Sequence, residues 1–244
     1  MEHEQYTTIG KLRIHSITAG AGKAVVFLHG WSLHAASAKR LRDILEHSCA
    51  ITTPTLIGFG KSSRLPPGFD IQAYGKLFGE WLRRQGKKRI TLVGHSLGGA
   101  VALLAAVHEP NAIDRVILAD TIGIPFQRDA RTWAAAWSKQ RTYNVNLSLR
   151  RTIEVLAQPF TENLLRRGND LYKLARLCMA LDVRPFLPGV RCPVDIVWGD
   201  QDDFIPRSVG EQLHALIPQS TFHTVSGSHD WPLLEPEKLL PFVE

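Results

Sequence analysis

Val93-Gly94-His95-Ser96-Leu97-Gly98-Gly99 separates a β-branched apolar run, Arg89-Ile90-Thr91-Leu92-Val93, from an alanine-rich run over residues 100–107. The first run reads as a buried parallel strand. The second is built from strong helix formers with nothing to stop it before Pro110. A strand, a tight turn and a helix, with serine at the tip, make the Gly-x-Ser-x-Gly nucleophile elbow. Such a turn forces the serine backbone into a sparsely populated conformation. Gly94 and Gly98 leave the room that side chains would occupy. Ser96 is then held over the carboxyl edge of a sheet, above a helix N-terminus that favours developing negative charge.

Working outward, strands and helices alternate on both sides of the elbow. Residues 6–17 predict an antiparallel pair turning at Gly10-Lys11, followed by strands at 24–28, 49–53, 116–120, 194–198 and 221–225. Helices are expected near 35–47, 70–85 (with Asp70 as N-cap and Gly86 near the C-cap), 207–217 and 235–243. Residues 122–185 break the rhythm with four helical patterns and no strand, at 129–141, 147–157, 161–167 and 169–181. The pattern predicts an α/β fold, a mainly parallel sheet with helices on both faces. Residues 1–121 and 186–244 form its core, and 122–185 a helical lid over the carboxyl edge, where ligands bind in such sheets.

Composition narrows the function. With 244 residues, 44% of them hydrophobic, the chain can bury a large core. No run of about 18 apolar residues suggests a membrane span. Residues 1–5 lack a basic n-region and an apolar h-region. Three widely spaced cysteines, Cys49, Cys178 and Cys192, fit a reducing cytoplasm better than a disulfide framework or a zinc site. Net charge is +6, but unevenly spread. Residues 121–185 carry 11 Lys+Arg against 5 Asp+Glu, while residues 186–244 carry 3 against 9. A basic lid suits an acidic partner. No helix-turn-helix, zinc or RNA-binding signature accompanies it, so nucleic acid is not expected.

A serine hydroxyl needs a base, and the base an orienting group. Of 10 histidines, His229 follows the last expected strand and so lies at the edge that carries Ser96. His223 falls within a strand, His214 within a helix, His108 at the far end of the elbow helix, and His95 points elsewhere in an elbow. All four read as structural or solvated. For the acid, Asp200, Asp202 and Asp203 compete after one strand, and Asp120 after the preceding one. The N–H groups of Leu97 and Trp31 are the expected oxyanion donors, and His29 reads as a brace of its loop. Trp133 and Trp137 share a helix face. With Trp31, Phe126 and Trp231, they are the expected substrate-binding surface, and Tyr143, Phe160 and Phe186 add aromatic area.

These residues resemble the α/β-hydrolase superfamily over most of the chain. The match comprises His29-Gly30-Trp31, Gly58-Phe59-Gly60-Lys61-Ser62, Gly94-His95-Ser96-Leu97-Gly98-Gly99, Gly199-x-x-Asp202-x-x-Ile205-Pro206 and Gly227-x-His229, in the family's order. The resemblance implies an eight-stranded sheet with a lid after strand 6. It makes Asp202 the acid, with Asp120 as the minor alternative. Thr55 stands where the family usually has aspartate, and Ser228 where it has glycine or alanine. Ser96 argues against the aspartate-nucleophile dehalogenases and epoxide hydrolases. Within the superfamily the chain is similar to the carboxylesterases that demethylate a pimeloyl methyl ester on acyl-carrier protein in biotin synthesis. That likeness implies a cofactor-free serine esterase, a monomer or homodimer, whose lid arginines (Arg128, Arg131, Arg150, Arg151, Arg166, Arg167) dock an acidic carrier. The fold also carries lyases, perhydrolases, acyltransferases and ligand receptors.

Overall fold

Successive residues of a strand point to opposite faces of its sheet, and here both faces are buried. Val26 and Leu28 of β3 (Lys23–Leu28) enter one apolar cluster, while Val25 and Phe27 enter the other. In β6 (Ile113–Ala119), Val116 and Leu118 divide from Ile117 and Ala119 in the same way. This two-sided burial explains why these strands read as continuous apolar runs. The protein is described here from a computed structural model over residues 2–243.

Eight strands pair in the order β1-β2-β4-β3-β5-β6-β7-β8. β1 (His3–Ile9), β2 (Leu12–Ala19) and β4 (Cys49–Pro54) are joined antiparallel. β3, β4, β5 (Ile90–His95), β6, β7 (Val194–Gln201) and β8 (Ser220–Ser228) run parallel. α1 (Lys39–Leu45) lies on one face. α2 (Ile71–Arg84) and α3 (Leu97–His108) lie on the other, with α6 (Arg207–Leu216). The chain leaves β3 towards β4 and leaves β5 towards β6, in opposite directions across the sheet. β3 and β5 therefore flank a topological switch point, where open α/β sheets hold their ligands. His29-Gly30-Trp31 and His95-Ser96-Leu97 stand at its rim.

Several boundaries differ from the sequence expectation. The four patterns between β6 and β7 fold as two long helices, α4 (Ala130–Thr152) and α5 (Gln158–Ala180), joined by one wide turn at Ile153–Ala157. The breaks fall inside them, at Ser148 (φ −169°, ψ 108°) and Arg167 (φ −133°, ψ 18°). Residues 142–146, poor helix formers, are helical all the same. Pro159 sits at the start of α5, where the missing N–H of proline costs little. The expected closing helix 235–243 is instead a series of short turns. α7 (Trp231–Leu234), a 3₁₀ turn at Pro236–Leu239 and α8 (Leu240–Val243) are interrupted by Pro232, Pro236 and Pro241.

Side-chain hydrogen bonds join the α4–α5 segment to the loops at the switch point. Asn163 Nδ2 donates to the Ser32 carbonyl (2.7 Å), and its Oδ1 accepts from Gly60 N (2.8 Å). Trp31 Nε1 donates to the Leu171 carbonyl (3.0 Å). No described helix is long and apolar enough to cross a membrane.

Candidate active site

Ser96 adopts φ 54° and ψ −118° between β5 and α3, a region that non-glycine residues rarely occupy. Such strain costs roughly 1–3 kcal/mol and persists only where neighbours over-determine it. Here the Ser96 carbonyl accepts from Gly99 N (3.0 Å), Thr121 Oγ1 (3.1 Å) and Ile122 N (3.3 Å), while Ser96 N donates to Ala119 O (3.1 Å). The two glycines are obligatory. A Cβ at Gly94 would lie 2.5 Å from Gly98 O, and one at Gly98 only 2.1 Å from Leu28 O. Leu97 opens α3, so its N–H has no partner within the helix.

The loop after β3 is held by His29. Leu56 N donates to His29 Nε2 (2.9 Å), which leaves the ring proton on Nδ1 to donate to the Gly30 carbonyl (2.8 Å). Burial pushes the His29 pKa down to about 3, so the ring stays neutral. Carbonyl and amide of one trans peptide point in opposite directions. Fixing Gly30 O on His29 therefore turns the Trp31 N–H away from that ring. Gly30 packs against Ser96, where an added Cβ would stand 3.2 Å from the serine Cβ.

The acids at the end of β7 and just beyond it divide their work. Asp202 Oδ2 accepts from His229 Nδ1 (2.8 Å), and its Oδ1 accepts from Phe204 N (2.7 Å) and Ile205 N (3.0 Å). Asp200 Oδ1 accepts from Gly227 N (2.9 Å), tying β7 to the end of β8. Asp203 pairs with Lys139 of α4 (2.9 Å). Asp120, at the end of β6, accepts from Gly199 N (2.8 Å) and does not bond His229. Its burial, and then the Asp202 charge beside it, push its pKa well above the ordinary aspartate value and favour the neutral acid.

His229 follows β8 directly, and its carbonyl accepts from His95 Nε2 (2.8 Å). The residue before the elbow serine thus fastens the histidine loop, a role its neighbourhood in sequence did not disclose. Burial holds the His95 pKa well below its ordinary value. With Nδ1 of His229 donating to Asp202, Nε2 is left with a lone pair, the state a general base requires.

Ser96 and His229 both line a cavity of about 1110 Å³ under α4 and α5, together with Trp31, Phe126, Trp133 and Trp137. Trp231, expected at its mouth, is not there. Its ring is fully buried in the cluster beneath α7, and Gly227 packs against it. Phe160 lines the cavity, whereas Tyr143 and Phe186 do not.

The pattern describing the alpha/beta hydrolase family matches residues 25–241. This chain belongs to that family. The pimeloyl-acyl-carrier-protein methyl ester esterase of Chromobacterium violaceum is 25% identical over 241 residues, covering 91% of this chain and 92% of the relative. Its namesake from Vibrio vulnificus is 26% identical over 246 residues, covering 92% and 94%. Among solved structures, a thermophilic esterase from Thermogutta terrifontis superposes with a TM-score of 0.73 at 24% identity, covering 100% of this chain and 96% of that one.

In this α/β hydrolase the six arginines singled out between β6 and β7 separate into two groups. Arg128 donates to the Asp203 carbonyl, Arg151 to Leu234 O (3.2 Å), and Arg167 to Gly60 O and Ser62 O (both 2.8 Å). These three clasp the helical segment to the body. Arg131, Arg150 and Arg166 are exposed. The sequence reading also passed over three polar residues on the cavity wall, Gln140, Asn144 and Asp230.

Proposed function

We propose that this chain hydrolyses carboxylic esters through an acyl-enzyme on Ser96. The observation that carries the reading is the Asp202–His229 hydrogen bond of 2.8 Å, made at the wall of the cavity that Ser96 also lines. In the proposed cycle Ser96 Oγ attacks the ester carbonyl and its proton passes to His229 Nε2. Asp202 fixes the imidazole tautomer and stabilises the imidazolium. The N–H groups of Trp31 and Leu97 receive the oxyanion. The alcohol departs with the proton from His229, and water then releases the acid by the same route reversed. The cycle needs no metal or organic cofactor.

The α4–α5 segment is the lid of this reading, and its aromatic lining suits an apolar acyl chain. The names of the two esterase relatives favour a methyl ester borne by an acyl-carrier protein, with Arg131, Arg150 and Arg166 offered to the acidic carrier. Steady-state hydrolysis of p-nitrophenyl esters from acetate to decanoate tests the esterase reading. Turnover with an optimum at medium or long chains is expected, and no turnover by folded protein on any of them would overturn it. Binding of an acyl-carrier protein is expected to weaken steeply with salt. A salt-independent or absent interaction removes the carrier from the proposal.

The pH dependence follows from His229. Burial lowers its pKa, but the charge and hydrogen bond of Asp202, helped by Asp230, outweigh burial and raise it above 6.5. Only the neutral ring can accept the serine proton, so kcat/KM should fall on the acid side with a midpoint above 6.5. A profile whose acid limb lies below that value would show that burial outweighs the Asp202 charge at His229.

A further inference from the structure

One side chain of the cavity wall is out of keeping with its surroundings. Gln140, on α4, is only 2% exposed and lines the cavity, yet neither its Nε2 nor its Oε1 closes a well-formed hydrogen bond in the protein, its one polar contact being a looser one with Asp230. Buried amides are nearly always bonded, and one left open at a cavity wall is a feature to be explained. Asn144, one helical turn further on and equally buried, is fully engaged. Its Nδ2 donates to Asp230 Oδ2 (2.8 Å), and its Oδ1 accepts from Ser228 Oγ (2.7 Å). Asn144 thereby fixes Asp230, the residue that follows His229, through Oδ2, and leaves Oδ1 as the oxygen not held by Asn144. Gln140 lies near enough to Asp230 to pull its pKa down a little, while burial pushes it up on balance.

We propose that Gln140 and Asp230, with Asn144 as the brace, recognise a neutral hydrogen-bonding group, a hydroxyl or carboxamide, on the alcohol side of the ester. This rests on the esterase reading and stands as the alternative to a methyl ester, whose alcohol carries no such group. The side follows from the chemistry, because the leaving oxygen takes its proton from His229 and so stands on the wall that His229 shares with Asp230. The polarity follows from the donors and acceptors. A hydroxyl or an amide N–H can donate to Asp230 Oδ1 or Gln140 Oε1, and its oxygen can accept from Gln140 Nε2. A carboxylate brings acceptors alone and meets the Asp230 carboxyl, so it is disfavoured. An alkyl group leaves the Gln140 amide unpaired, and sites of this kind discriminate strongly against analogues that leave them so.

The test compares four butanoate esters matched in size: n-propyl, 2-hydroxyethyl, the glycolamide ester and the glycolate ester. Wild-type kcat/KM is expected to be at least about tenfold higher for the hydroxyethyl and glycolamide esters than for the propyl and glycolate esters. Gln140→Met keeps the length of the side chain and removes both polar atoms. It should abolish most of that preference while leaving Tm at or above the wild-type value, since it removes two buried polar atoms that close no well-formed hydrogen bond in the protein. A wild type that hydrolyses all four esters equally, or favours propyl, overturns the proposal without any variant. So does a Gln140→Met enzyme that keeps the preference, or one that loses several degrees of Tm or fails to fold, which would make the amide structural. Absence of turnover on these and on p-nitrophenyl esters alike would remove the esterase reading itself, and the proposal with it.

Discussion

Ser96→Ala is expected to lower kcat on p-nitrophenyl butanoate by roughly 10⁵-fold or more, with the protein still folded. The magnitude follows from what the hydroxyl does in the proposed cycle. Without Oγ there is no acyl-enzyme, and His229 can only direct water at a carbonyl held by the Trp31 and Leu97 N–H groups. The residual rate that oxyanion contacts and binding support is of the order of 10³–10⁴ over water. Stability should move the other way on substitution by glycine. At φ 54° Ser96 is held by four backbone-directed hydrogen bonds against its own steric preference, and glycine meets no such penalty. Ser96→Gly should therefore be inactive yet unfold about 2–4 °C higher, the shift of about 1 kcal/mol in a chain of this size. Thermal unfolding beside the ester assay reads both arms. A Ser96→Ala enzyme with more than a few per cent of wild-type turnover would show that another group is the nucleophile.

The sheet was legible because its strands are buried on both faces. Runs such as Val25-Val26-Phe27-Leu28 and Val116-Ile117-Leu118-Ala119 admit little besides a central parallel strand. The elbow was legible from its glycines, Gly94 being required by a clash within the turn itself and Gly98 by the approach of Leu28 O at the end of β3. What the sequence does not carry is orientation across long separations. Asp200, Asp202 and Asp203 are equivalent as letters. Their roles diverge only because β8 ends where Gly227 N meets Asp200, His229 Nδ1 meets Asp202, and α4 brings Lys139 to Asp203. The resemblance to a family, rather than the residues alone, singled out Asp202. Trp231 illustrates the opposite error. An aromatic two residues from His229 looks like part of a pocket, but α7 turns at once and buries the ring on the other side. Gln140 carried no signal at all, because an amide on a polar helix reads as solvated until the fold turns that face of α4 onto the cavity.

The sharpest separation of the candidate acids comes from the pair Asp202→Asn and Asp120→Asn, for which opposite outcomes are expected. In Asp202→Asn the carbonyl oxygen must remain where Oδ1 is, because Phe204 N and Ile205 N both donate to it. The amide NH₂ is then turned towards His229 Nδ1, where the wild type has an acceptor. A donor there forces the ring proton onto Nε2, the nitrogen that has to receive the proton of Ser96, and no imidazolium is stabilised afterwards. A loss of about 10⁴-fold in kcat follows from this tautomer alone, with little change in KM. Asp120 starts from a different state. Burial and the neighbouring Asp202 charge push its pKa up and favour the neutral acid, which an asparagine matches in shape and charge. Its Oδ1 can still accept from Gly199 N, and the positive φ of 44° at this position is one that asparagine tolerates. Asp120→Asn should therefore keep activity within about fivefold and stability within about 1 kcal/mol. Were Asp120→Asn the inactive variant and Asp202→Asn the active one, the orienting acid would belong to β6 rather than β7, and the 2.8 Å contact between Asp202 and His229 would be incidental to turnover.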